Sequence, residues 1–167
     1  MPRAYKALPP ASELWERFSY KPLTGELVWN NHPRYKAWKG RIAGSIQKNG
    51  YVSVELKVGT ERLRYTGQRI VWTWLTGKDP GAHLQVDHIN HNRADNRCQN
   101  LRLCTPEQNS HNREARGWVK TPAGKYRVMA GAMTGNRYVG TYDTEAEARA
   151  AYEKASLELH GEFSSVG

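Results

Sequence analysis

Cysteine is nearly absent: Cys98 and Cys104 are the only two in 167 residues. Two cysteines are too few for a disulfide framework, and they lack the paired spacing of a zinc site, so both are expected to be reduced structural residues. Long apolar runs are also missing. None approaches the length of a membrane-spanning helix and none follows the basic residues at the N-terminus, so neither membrane insertion nor secretion is expected and an intracellular protein is. Acidic residues are scarce as well, with 16 Asp plus Glu against 25 Lys plus Arg. This imbalance argues against an acid-rich chain and points to a polyanionic partner, nucleic acid first, for which six Trp and nine Tyr supply flat stacking faces.

The imbalance is uneven along the chain. Residues 1–86 hold 14 basic and 6 acidic side chains, residues 87–115 hold 4 and 4, and residues 116–167 hold 7 and 6. Within the last segment, residues 116–140 contain five bases and no acid, whereas residues 143–162 contain six acids and two bases, so charge is segregated by element. The balanced centre suits a site that must hold a cation and a phosphate together.

Local patterning gives an element order. Residues 12–18 read as a short helix with Ser12 as cap and Leu14, Trp15 and Phe18 as its apolar stripe. Thr24-Gly25 before Leu27-Val28-Trp29 reads as half of a hairpin, followed by a basic loop over residues 30–40. A short strand is expected over residues 42–46, then a two-residue turn at Asn49-Gly50, an alternating strand over residues 51–58, and a return strand over residues 61–65. Residues 68–76, closed by Gly77, form a helical apolar face with Ile70, Val71, Trp74 and Leu75.

The stretch Val-Asp-His-Ile-Asn at residues 86–90 then sets a carboxylate and an imidazole side by side. A loop and the short strand Leu101-Arg102-Leu103 follow, and then a helix start in which Thr105 is the N-cap, Pro106 the first helical residue and Gln108 the capping-box partner. Asn109 falls on the first turn, and Arg113, four residues on, shares its face. A strand end carrying Asp87 and His88 beside such a helix is the layout of a compact metal-dependent nuclease site.

The tail reads as three strands at residues 118–120, 125–130 and 137–142, then a helix capped by Thr144 with Glu147 and ended by Gly161. Alternation sets Lys125, Arg127 and Met129 on one face of the second strand and Tyr126, Val128 and Ala130 on the face toward the helix. Ala148, Tyr152, Ala155 and Leu159 recur at helical spacing and are mostly small, so the helix can lie close to the sheet.

The motifs Asp-His-Ile-Asn, Asp-Asn-Arg, Asn-Leu-Arg and Thr-Pro-Glu-Gln-Asn, followed by Asn112-Arg113, resemble the HNH homing-endonuclease family, the ββα-metal nucleases of phages and introns, in the subgroup whose last motif residue is Asn. Upstream, Leu-Thr-Gly-Glu-Leu-Val-Trp, Lys-Asn-Gly-Tyr-Val-Ser-Val-Glu-Leu and Arg-Ile-Val-Trp-Thr-Trp-Leu-Thr-Gly-Lys-Asp-Pro-Gly resemble the regions that precede this motif, so the likeness spans roughly residues 12–115. The tail, through Gly117-Trp118, Gly-Lys-Tyr-Arg-Val and the segment from Tyr138 to Phe163, resembles an AP2 DNA-binding domain. It departs from plant members at Val119, Thr121 and Ala123, so their base specificity does not carry over. Together these imply an α+β fold with three parts: a β-rich DNA-binding or support region (1–66), a ββα-metal HNH nuclease core (67–115), and an AP2-like domain of three antiparallel strands packed on one helix (116–167).

The resemblance assigns roles. His88 is the expected general base, Asp87 and Asn109 the protein ligands of a single Mg²⁺ or Mn²⁺, and Asn100 the residue that holds the loop and helps orient the histidine. Arg97, Arg102 and Arg113 either touch phosphates or pair with neighbouring acids such as Asp95 and Glu114. His91 stands where the family usually has Gly, and His111 follows the proposed ligand by two residues; both are read as exposed or phosphate-touching. Lys125, Arg127, Asn136 and Tyr138 are the expected DNA contacts of the tail. The implied activity is site-specific cleavage of duplex DNA, nicking by a monomer, with a dimer or two sequential cuts needed for double breaks. The alternatives are a DNA-binding regulator that keeps the scaffold without turnover and, more remote, an RNA-directed nuclease.

Overall fold

The computed structural model describes residues 5–111, 117–132, 135–161 and 164. Its elements are short helices and small antiparallel sheets, an α+β arrangement, and the chain divides into two compact units, residues 1–106 and 107–167.

In the first unit, helix α1 (Ala11–Arg17) leads into the hairpin β1 (Phe18–Lys21) and β2 (Glu26–Trp29). The cap is Pro10 rather than Ser12: its carbonyl accepts from Glu13 and Leu14 N–H at 3.0 and 3.2 Å, and the helix starts one residue before the serine. Proline holds its own φ near the helical value and so pre-sets this entry. The expected stripe is also corrected. Leu14 and Phe18 are buried, but Trp15 is 51% exposed, and its indole N–H donates to Trp74 C=O at 2.7 Å.

Strands β3 (Ser45–Ile46), β4 (Val52–Val58) and β5 (Glu61–Thr66) form the second sheet. The expected strand over residues 42–46 is reduced to its last two residues plus an isolated bridge between Val28 and Ile42. Nor is Asn49-Gly50 a two-residue turn. Gly50 N–H bonds Gln47 C=O at 2.8 Å and Gln47 N–H bonds Tyr51 C=O at 2.9 Å, so the connection holds three residues and only Gly50, at φ 84°, needs the left-handed region. Gly59-Thr60, between the paired Val58 and Glu61, is the true two-residue turn.

Helix α2 (Gly67–Thr76) ends at Gly77 in the left-handed conformation and buries Ile70 and Val71, while Leu75 lies on its outer side at 41% exposure. One apolar cluster joins α1, both sheets, α2 and the next hairpin, running from Leu8, Leu14 and Phe18 through Val54, Leu56 and Ile70 to Val86 and Leu101. The chain's start is tied to the same body, since Leu8 N–H and the Arg69 guanidinium both reach the Asp79 carboxylate. Hairpin β6 (Gln85–His88) and β7 (Leu101–Cys104) completes the unit. Helix α3 (Pro106–His111) follows and runs across the division between the units.

In the second unit, β8 (Trp118–Lys120), β9 (Tyr126–Ala132) and β10 (Gly135–Tyr142) form an antiparallel sheet with β9 central, and α4 (Glu145–His160) packs on it. Thr144 and Glu147 exchange both hydrogen bonds of a capping box. Val128, Ala130 and Ala148 are fully buried between helix and sheet, joined by Ser156, whose hydroxyl accepts from Ser164 at 3.0 Å. Close approach also shows at Gly117, where any Cβ would collide with the Tyr152 ring.

Candidate active site

Strands β6 and β7 pair in antiparallel register, with Asp87 opposite Arg102 and His88 opposite Leu101. Val86, Asp87 and His88 are all buried, so two polar side chains lie in an interior that demands partners for them. Asp87 finds one across the ladder: Arg102 Nε donates to Asp87 Oδ2 at 3.0 Å, with both side chains largely covered.

His88 is 3% exposed. Its Nε2 lies 3.0 Å from Asn96 Oδ1, an acceptor, so Nε2 carries the hydrogen and the basic lone pair of the neutral ring falls on Nδ1. Burial holds the imidazole below the ordinary histidine range; the Asn96 bond and the carboxylates of Asp87 and Asp95 oppose that shift without cancelling it. Burial therefore favours the neutral ring, the form that can take a proton. The Tyr51 ring lies 5.9 Å from it, tilted by 47°, and Arg93 covers the tyrosine at 5.0 Å while donating to Asn49 C=O at 2.9 Å.

The loop between the strands is built from short polar side chains bonding their own backbone. Asn90 Oδ1 accepts from Asn92 N–H at 2.9 Å and Asn92 Oδ1 from Ala94 N–H at 3.1 Å, two Asx turns in succession. Asn100 spans the loop: its Oδ1 accepts from Asn90 N–H at 2.9 Å and its Nδ2 donates to Asp95 C=O at 2.7 Å. Arg97 forks onto Asp95 at 2.7 and 2.5 Å, and this pair, outweighing partial burial, holds the Asp95 carboxyl far below the usual range. His91 sits at φ 60°, the only described non-glycine residue in the left-handed region. That is the physical reason a glycine suits this position.

Asn96, whose side chain fixes His88, is itself clamped by residues far away in sequence. Tyr20 Oη donates to Asn96 C=O at 3.1 Å and accepts from Cys98 N–H at 2.9 Å. Gly25, at φ 76°, lets the β1–β2 turn meet the loop backbone to backbone: a Cβ there would stand 2.5 Å from Asn96 C and Arg97 N. Gly67, the first residue of α2, leaves similar room for the Asn96 amide. Reading the sequence assigned no role to Asn96, Tyr20 or Gly25. The available signals were Asn96 inside the Asp-Asn-Arg motif and Gly25 in a turn, and neither shows what it touches.

The other expected site residues are placed as follows. Asn109 lies on the first turn and a half of α3, and Arg113 falls outside the described residues. In the second unit Arg127, Asn136 and Tyr138 are exposed, Tyr138 at 57%, and Lys125 pairs with Asp143 at 2.9 Å. Among the described residues no group of three or more His, Cys, Asp or Glu side chains converges. Burial pushes the Cys104 thiol up to about 11, and its Sγ donates to Gln85 C=O at 3.6 Å. The carboxylate of Asp87 is an oxygen donor of the kind that hard cations such as Mg²⁺ or Mn²⁺ take.

The profile of the HNH endonuclease family matches residues 65–111. A curated relative, the uncharacterized HNH endonuclease L560 of Acanthamoeba polyphaga mimivirus, is 32% identical over 143 residues, covering 82% of this chain and 69% of its own. A solved structure of DNA binding and cleavage by the HNH homing endonuclease I-HmuI is 21% identical, with a TM-score of 0.45 and coverage of 86% of this chain and 85% of that one.

Proposed function

The chain belongs to the HNH endonuclease family, and we propose that it is a Mg²⁺- or Mn²⁺-dependent endonuclease that hydrolyses phosphodiester bonds of duplex DNA, nicking one strand at a preferred site as a monomer. The observation that carries this reading is the His88–Asn96 bond beside Asp87: a buried, neutral imidazole held through Nε2 presents Nδ1 as a general base next to a carboxylate.

In this mechanism His88 Nδ1 accepts the proton of the attacking water. Asp87 and, from the family motif, Asn109 would hold one cation, which would supply charge stabilisation at the phosphate. Asn96 and Asn100 are positioning residues, the first fixing the tautomer of His88 and the second the loop that carries Asn96. Arg97, Arg102 and Arg113 are the proposed phosphate contacts near the scissile bond; the first two already hold Asp95 and Asp87, so they order the loop and the ladder as well. Lys125, Arg127, Asn136 and Tyr138 form the DNA-facing side of an AP2-like tail, whose three-stranded sheet backed by α4 supports that assignment. A virus-encoded enzyme acting inside a host cell is consistent with the mimivirus relative.

The test is a supercoiled plasmid library with random inserts, incubated with Mg²⁺. Open circles should appear before linear product, and sequencing their ends should return a recurrent site. His88→Ala should slow this by about 10²–10⁴-fold, the usual worth of a general base. Linear product without an open-circle stage would remove the nicking claim. Gel-shifted but uncut DNA from the wild type in Mg²⁺ would leave the non-catalytic regulator as the reading.

A further inference from the structure

We infer that the first unit carries a docking cleft for an unpaired DNA strand, separate from the sheet of the tail and walled by an aromatic cluster and an arginine-rich strand pair. The inference rests on the DNA-nuclease reading above and goes further by naming which form of DNA this surface takes.

The cleft has a volume of about 1030 Å³. One wall is the loop after β2. There the His32 ring is in contact with Trp29 at the end of β2 and with Trp38, at 4.5 and 4.6 Å, and Tyr35 lies 5.0 Å from Trp38 with rings within 26° of parallel. His32 Nδ1 accepts the N–H groups of Arg34 and Tyr35 at 3.2 and 2.9 Å, so the loop is shaped around that ring. Tyr35 and Trp38 remain 41% and 38% exposed, and the Arg34 guanidinium lies over the Tyr35 ring at 5.3 Å, so ring and cation are presented together. The other wall comes from β4 and β5, where the register sets Glu55 opposite Arg64 and Lys57 opposite Arg62.

Charge decides the class of occupant. Six cations line the cleft, Arg17, Arg34, Arg41, Lys57, Arg62 and Arg64, against the single acid Glu55. Glu55 stands 3.6 Å from both Arg62 and Arg64, too far for a normal hydrogen bond, and those arginines stay 58% and 75% exposed. Arg17 is already paired through Nη2 with Glu13 and Lys57 C=O, so the accessible charge is that of the other five. So large an excess of positive charge fits a run of phosphates.

The rings decide between strand forms. In a duplex both faces of each base are covered by neighbouring pairs, whereas an unpaired strand offers its bases to aromatic side chains while its backbone follows the cations. The position of the cleft agrees. Gln47 lines it and pairs with Tyr51 across the β3–β4 turn, and that same turn places Asn49 against Arg93 and Tyr51 against His88. One turn therefore separates the cleft from the proposed base, so an unpaired segment held here lies close to the point of hydrolysis.

The test uses the full chain carrying His88→Ala, in EDTA, so that binding is read without cleavage. Fluorescence anisotropy compares a labelled oligothymidine with a labelled blunt duplex. Tyr35→Ala and Trp38→Ala should each weaken oligothymidine binding about five- to a hundred-fold and leave duplex binding unchanged. Arg64→Ala, a surface change that keeps the ring cluster, should lower the slope of log affinity against log salt for oligothymidine by about 0.7. Absence of oligothymidine binding by the parent protein, unchanged affinity and slope in Arg64→Ala, or equal losses for both DNA forms in the ring variants would overturn the inference. Intact single-strand binding by a wild type that cuts no DNA would instead sink the nuclease reading and leave the cleft standing.

Discussion

The two compact units bury very different interiors. The first packs bulky side chains from α1, two sheets, α2 and the β6–β7 hairpin into one cluster, with Leu14, Phe18, Leu56, Ile70 and Val71 at 1% exposure or less. The described interior of the second consists of Val128, Ala130, Ala148, Ser156 and Ser164 between one helix and three strands. The difference follows from what each is proposed to do, the first unit to hold a general base and the second to contact DNA. A general base needs its ring fixed within a narrow range of orientation, which here takes a buried polar network resting on a deep core. A sheet that presents basic side chains to a partner needs only a flat face, and a thin layer of small residues supplies it.

Core truncations give the largest test of that contrast. Ile70→Ala should destabilise the first unit by about 2–5 kcal/mol, the range for truncating a fully buried aliphatic side chain. Thermal unfolding followed by tryptophan fluorescence should show its transition lowered, with the second unit's amide-exchange protection unchanged. Equal loss of protection in both units would mean that the two interiors stand or fall together.

A smaller effect is expected from Asn96→Ala. Removing the acceptor at 3.0 Å leaves the buried His88 Nε2–H unsatisfied and the tautomer unfixed, and nicking should fall about 10–100-fold, as for other partners that orient a working histidine. Affinity for duplex DNA should not change, and Asn96→Asp, which restores an acceptor, should regain part of the rate. A rate loss that tracks lost affinity would reassign Asn96 to binding.

Below that lies Arg127→Ala, on the exposed side of β9. Duplex affinity should fall and the salt slope drop by about 0.9, the contribution of one phosphate contact, while the rate at saturating DNA holds steady. A loss in that rate with affinity intact would show that the tail does more than bind.

His91→Gly is the smallest. The left-handed conformation costs a side chain about 1–2 kcal/mol, partly offset by the greater chain entropy of glycine, so the first unit should gain up to about 1 kcal/mol. A net loss would mean that the imidazole of His91 contributes more than its backbone strain removes.

Much of this was legible in residue order. Alternation along β4 gave its buried Val54 and Leu56, Thr144 and Glu147 gave the start of α4, and Gly77 gave the end of α2. Misreadings clustered where neighbouring signals compete. Ser12 has a capping side chain, yet Pro10 two residues earlier sets the helix entry; Trp15 lies on an apolar stripe wider than the face that the core covers; and Asn49-Gly50 signals a turn without fixing its length.

The sequence by itself determined the order of the elements, the side-by-side placement of Asp87 and His88 on one strand and the segregation of charge in the tail, because periodicity, caps and turns act over a few residues. Only the tertiary structure decided that Asn96 holds His88, that Tyr20, Gly25 and Gly67 hold Asn96, and that rings from residues 29–38 face arginines from residues 62–64 across one cleft. Those contacts join positions up to 76 residues apart. Packing of one shared core brings them together, and no local pattern carries that information.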